Sequence, residues 1–134
     1  MSPTQKIVQA WFDHIANGDA AAAFALFDEN VVYDLKGTTA VSGVYSGLEE
    51  IVEKFFTPWR KQIVGDLTIQ VSELIGEGER VVALGRGEAK TIYDLPYDND
   101  YAFIFTVKGD KITRVEEFLD TALVETAAYG KRIA

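Results

Sequence analysis

The stretch NGDAAAAFALFDENVVYD, Asn17–Asp34, holds a helix stop, a second short helix and the start of a strand. Asn17-Gly18 supplies a left-handed stop. Asp19 is an N-cap residue, and Phe24, Leu26 and Phe27 are the apolar positions of the helix it opens. Asp28-Glu29-Asn30 turns the chain into a strand over Val31 to Lys36. That strand delivers Asp34 just past an apolar run, where a carboxylate is costly to bury without a purpose.

Upstream, Ser2-Pro3-Thr4-Gln5 is a capping box with proline suited to the first helical position. Ile7, Val8, Trp11, Phe12 and Ile15 then form one helical stripe. Downstream, Gly37 to Gly47 reads as loop, with β character around Val44-Tyr45. Ser46-Gly47-Leu48-Glu49 reads as a second capping box, opening a helix with Leu48, Ile51, Val52, Phe55 and Phe56 on one face and ended by Pro58. After Trp59 the period changes to two. Leu67, Ile69 and Val71 alternate with polar residues, and Arg80 to Tyr93 forms a long strand. Asp94 to Asn99 is a loop, and Tyr101 to Val107 pairs with Lys111 to Asp120 across Lys108-Gly109-Asp110. The tail from Thr121 adds a helical turn. Helices grouped before a run of antiparallel strands predict an α+β fold, in which a curved sheet over three helices leaves a cavity.

At 134 residues the chain is expected to form one domain, 1–134. Apolar residues make up 48% and charged residues 25%, as in a globular protein. The net charge of −8 argues against nucleic acid or an anionic membrane as partner. No cysteine is present, so disulfides and thiolate metal sites are excluded. No apolar run approaches the ~20 residues of a membrane span, and the N-terminus lacks the basic flank and apolar stretch of a signal peptide. A cytoplasmic protein is the expectation. Histidine pairs, a P-loop, GxGxxG and GxSxG are absent, and neither a metal nor a cofactor is implied.

Strand alternation places Val32 and Asp34 on one face, and Val31 and Tyr33 on the other. With Val32 inward, Asp34 points to the interior, where apolar shielding suits it to act as a general base. On the last strand Val115, Glu117 and Leu119 share a face, while Arg114, Glu116 and Phe118 share the other. One of the two glutamates must face inward or lie on an intersubunit surface. His14 is the only histidine and borders the stripe of the first helix. On strand 80–93, Arg86, Glu88 and Lys90 alternate with small residues, Gly85, Gly87 and Ala89, that imply close approach of another surface.

Several patterns together resemble the SnoaL-like branch of the NTF2-like superfamily, which includes ketosteroid isomerase and polyketide cyclases. They are Asn17-Gly18-Asp19 with Phe24-Ala25-Leu26-Phe27, Val31-Val32-Tyr33-Asp34, Tyr45-Ser46-Gly47, and Tyr97-Asp98-Asn99-Asp100-Tyr101. Val107 to Ile112 and Arg114 to Thr121 complete the match, which covers essentially the whole chain. The resemblance implies the NTF2-like, cystatin-like cone: three N-terminal helices packed in a strongly curved, mixed and mostly antiparallel sheet around a cavity. It also implies a homodimer through the outer sheet face, with the apolar residues of strands 80–93 and 101–107 available for it.

The isomerase's catalytic Asp ends the first strand, where this chain has Asp34. Its oxyanion-hole Tyr and Asp look like Trp11 and Phe103 here, and its supporting Tyr looks like Phe55. Of these only the Trp11 indole N–H donates a hydrogen bond. Losing one such donor costs ~10²–10³ in rate, which argues against steroid isomerisation by that route. The expected catalytic set is Asp34 as general base with Glu117 or His14 as second proton carrier. From the helices, Trp11, Ile15, Phe55 and Trp59 are expected to line the substrate pocket. From the strands, Arg86, Glu88, Tyr101, Phe103 and Leu119 are expected to join them. Such a pocket suits a small, mostly apolar carbonyl or polyketide-like compound undergoing isomerisation, cyclisation or hydration. The alternative is a module that binds a small ligand, or dimerises, without chemistry.

Overall fold

The computed structural model describes residues 1–133. Helix α1, Pro3–Ala16, starts at the capping box the sequence predicts, with the Ser2 side chain accepting from the Gln5 amide. Asp19 likewise caps α2, Ala20–Phe24, by accepting from the Ala22 amide. Strand β1, Phe27–Leu35, begins earlier than the expected Val31, and Phe27 belongs to the strand and not to the preceding helix. The pairing of β1 with β6 shifts register between Phe27 and Val32, so 28–30 is an irregularity inside the strand.

After β2, Gly43–Ser46, the chain runs through α3, Leu48–Glu50, a π-helical turn over Ile51–Phe56, and α4, Thr57–Arg60. No second capping box forms. Gly47 is the N-cap, with φ +83° and no side-chain bond, and the Ser46 amide donates to the Glu50 carboxylate instead. That bond holds the Glu50 carboxyl below its usual range. Pro58 does not end the helix as expected. It lies within the first residues of α4, directly after the π-helical turn. A proline lacks one N–H but is tolerated in a helix's opening turn, and the wider turn before it interrupts the regular ladder.

Strands β3, Ile63–Glu77, β4, Arg80–Thr91, β5, Asn99–Lys108, and β6, Lys111–Leu119, follow as successive antiparallel neighbours. The order is β2-β1-β6-β5-β4-β3; only the β1–β6 pair is parallel. The sheet is therefore mixed and mostly antiparallel. Irregularities in β3–β4 pairing between Val64 and Thr68, and between Val71 and Glu73, bend and twist it. Gly85 and Gly87 allow the bend: a Cβ at Gly85 would stand 2.9 Å from the Gln70 carbonyl oxygen. α1 packs Val8, Trp11 and Phe12 on the concave face, where Phe12 meets Phe103 and Phe105 edge-on. The tail forms α5, Thr121–Leu123, capped by Asp120, and a second π-helical turn, Val124–Ala128. No described helix is long and apolar enough to cross a membrane.

Candidate functional site

Between the helices and the concave sheet lies a cavity of about 230 Å³, walled mainly by apolar and aromatic side chains. α1 supplies Trp11, Phe12 and Ile15, and the π-helical turn supplies Val52, Phe55 and Phe56. Tyr101 and Phe103 stack along β5 with ring centroids 5.5 Å apart. The mouth is marked by the lining residues that are exposed: Ala20, Thr57, Arg60 and Gly65. Gly65, at φ +74°, sits in the irregular stretch of β3 that breaks regular pairing with β4.

One carboxylate enters this apolar space. Glu117 is buried on β6 between cross-strand neighbours Phe103 on β5 and Leu35 on β1. Loss of water pushes its carboxyl up to about 7, against a partial opposing pull from a hydrogen bond donated by the Tyr33 hydroxyl. Tyr33 is itself held well above its ordinary value, chiefly by burial and then by the charge of Glu117. Two further tyrosines feel the same carboxylate. Burial raises Tyr97 to about 12, and raises Tyr101 further. The Tyr101 hydroxyl lies 3.5 Å from that of Tyr97, which accepts from Asn99 Nδ2 at 2.9 Å. Asn99 is anchored in turn to the Asp120 backbone, donating to its carbonyl at 3.2 Å and accepting from its amide at 3.1 Å. Trp11 adds an indole N–H that is buried without a hydrogen-bond partner.

The expected site residues divide accordingly. Trp11, Ile15, Phe55, Trp59, Tyr101, Phe103 and Glu117 come together around the cavity. Leu119 lies beside a second, far smaller space that shares Phe55, Trp59 and Glu117 with the first. His14, half-buried on α1, is not among the lining residues.

Asp34 requires a correction. It faces away from the cavity, because Val31, Tyr33 and Leu35 are the inward residues of β1. Asp34 stands beside Glu116 in register on β6, and the two acids share three cations. Lys36 reaches Asp34 at 2.7 Å and Glu116 at 3.7 Å, Arg114 reaches Asp34 at 3.3 Å, and Arg80 reaches Glu116 at 3.3 Å. The bond to Asp34 holds the Lys36 ammonium above its usual value. An apolar alternation of three outweighs one valine beside an acid, which is why the other face of β1 turned inward.

Arg86 and Glu88 are corrected on the same ground. Both are exposed outside the cavity, where Arg86 pairs with Asp100 at 3.1 Å and with Glu88 at 3.6 Å. The small-residue face of β4 is the one that turns inward. Sequence reasoning missed Tyr33 because its strand face was assigned the wrong way round. It missed Tyr97, placed in a loop, although that residue is fully buried and exchanges two backbone hydrogen bonds with Ala89.

Comparison with known proteins fits this architecture. The sequence profile of the SnoaL-like domain matches residues 8–115. No curated protein sequence matches the chain. Among solved structures, an NTF2-like protein of unknown function from Burkholderia pseudomallei K96243 is similar at TM-score 0.87 and 18% identity, over 96% of this chain and 98% of that one. An NTF2-like protein from Burkholderia thailandensis E264 has TM-score 0.84 and 25% identity, over 95% and 97%. TerC, co-crystallised with polyporic acid, has TM-score 0.85 and 21% identity, over 96% and 99%.

Proposed function

Because this chain belongs to the SnoaL-like domain family, we propose that its cavity binds a small, largely apolar carbonyl or enol compound and moves a proton on it without a cofactor. Isomerisation, cyclisation and hydration all share that step. The observation that carries the reading is Glu117, a buried carboxylate raised to about 7 inside an aromatic cavity. A group poised near neutrality is a competent base when ionised and a competent acid when protonated. Once Glu117 has taken the proton, the Tyr33 hydroxyl that donated to it is released to the oxygen on which charge develops, while Tyr101 on β5 keeps its long bond to Tyr97. In this role Glu117 takes the place first expected for Asp34. The unpartnered Trp11 N–H supports a ligand site as well, since a buried donor left unmade costs about 1–3 kcal/mol unless an acceptor reaches it. TerC's co-crystallisation with polyporic acid supports small-molecule binding in this architecture.

The test uses deuterium exchange at the carbon beside the carbonyl of 2-tetralone, a two-ring ketone, followed by NMR. Wild type is expected to exchange it faster than buffer, and Glu117→Gln to lose about 10²-fold or more of that rate. Binding seen by calorimetry with exchange no faster than buffer would favour the second reading, a ligand-binding module. One observation favours that second reading: Glu117 is the only carboxylate among the described residues lining the cavity, leaving no second acid to donate a proton while Glu117 accepts one. The reading also carries the homodimer expected through the outer sheet face, where Phe118 is 42% exposed. Sedimentation as a monomer at micromolar concentration would refute it.

A further inference from the structure

Two charged side chains line the cavity among mainly apolar ones. Glu117 is buried, whereas Arg60, the only cation among the described residues that line the cavity, is exposed at the mouth. Its guanidinium has one acidic neighbour, Asp66, at 3.9 Å, beyond hydrogen-bond distance. Both side chains are largely in water, at 73% and 90% exposure. Asp66 lies beside Gly65 in the irregular stretch of β3, while Arg60 ends α4, so the weak pair spans the opening from two elements. A guanidinium held so loosely keeps its planar fork of donors available for a carboxylate.

We propose that the ligand is a one- or two-ring aromatic acid whose carboxylate replaces Asp66 as the partner of Arg60, with its hydroxyl or carbonyl end at Tyr33 and Glu117. This rests on the reading of the cavity as a ligand site and adds the chemical class it takes. Size supports it. A cavity of about 150 Å³ holds one benzene ring, so about 230 Å³ accommodates one ring with substituents or two fused rings, and not a four-ring skeleton. Shape supports it too, because the stacked Tyr101 and Phe103 rings present a flat wall. Charge supports the orientation. In a protein of net charge −8, an anion is best received where the one lining cation stands, and a carboxylate beside Glu117 would meet like charge.

The probes are 4-hydroxyphenylacetate and its neutral isostere 4-hydroxyphenylacetamide, measured by isothermal calorimetry in low salt. Wild type is expected to prefer the acid about threefold to tenfold, a span between an exposed ion pair and a bidentate one. Arg60→Gln removes the preference, Arg60→Glu inverts it, and Asp66→Asn enlarges it by freeing the guanidinium. Equal affinity of the two probes in wild type, or a preference that survives in Arg60→Gln, overturns the proposal while leaving the cavity a ligand site. Absence of binding by both probes at millimolar concentration, in wild type and in Arg60→Gln alike, overturns the ligand-site reading and this proposal with it.

Discussion

Glu117 owes its properties to its neighbours. Phe103 and Leu35 flank it across the sheet and keep water away, while Tyr33 donates the hydrogen bond that moderates the upward shift. Tyr33→Phe removes that moderating bond, so the Glu117 titration should move above 7; carbon-detected NMR of the carboxyl reads it, and a midpoint that stays or falls contradicts the assignment. The same shift makes stability depend on pH. Glu117 titrates near 4.5 in an unfolded chain and near 7 in the folded one, so between those values the folded protein keeps a proton the unfolded chain has released. Its contribution is full below pH 4.5, declines as pH rises through 7 and is lost above. The amplitude is on the order of 3 kcal/mol at about 1.4 kcal/mol per pH unit. Urea unfolding at pH 4.5 and pH 8 should show that decline in wild type and lack it in Glu117→Gln. Asp34 behaves differently because its partners are the cations of the outer face. Asp34 is itself only 8% exposed, so Asp34→Asn should cost about 1.5–3 kcal/mol of stability, and should leave cavity ligands bound within about twofold. A tenfold loss of affinity in that variant would return Asp34 to the site.

Among the elements, β4 and the segment after β2 show what local pattern does and does not decide. The alternation of small and charged residues along β4 is plain in sequence, and either face is compatible with burial until the partner strands are known. The fold turns the small face inward because β3 crowds it: a Cβ at Gly85 would lie 2.9 Å from both the Gln70 carbonyl oxygen and Ile69. Gly85→Ala should therefore cost about 1–3 kcal/mol, since backbone must move to admit the methyl; a loss below 0.5 kcal/mol by chemical denaturation, as at an ordinary surface position, would show that β3 yields freely. Caps were legible where side chain and amide lie within one turn, as at Ser2 and Asp19. The segment 48–60 was legible as helix by its apolar stripe, but not its π-helical turn. Widening of that stretch depends on how Phe55 packs against Tyr33 and Tyr45, both distant in sequence.

The whole molecule sets the cavity's size through sheet curvature and the helices that cover it. A ligand that fills the cavity should stabilise the protein by about 2.7 kcal/mol at a hundred times its Kd, raising Tm by roughly 10 °C for a chain of this length. Differential scanning calorimetry with a one-ring and a four-ring phenol tests the limit; an equal shift from both would mean that the cavity expands. The amino-acid sequence by itself determined the α+β class, the order of helices and strands, and the aromatic character of the interior. Those properties follow from periodicity, caps and turn residues acting over a few positions. It also required one member of the Glu116-Glu117 pair to face inward or lie on an intersubunit surface, because neighbours on a strand face opposite ways. Only the tertiary structure decided that Tyr33 and not Asp34 turns inward, that Tyr97 is buried, and that Arg60 meets Asp66 at the mouth. A strand's face is chosen by the summed burial of everything packed on it, and a site is assembled from residues that only folding brings together. Neither quantity is written in any single stretch of chain.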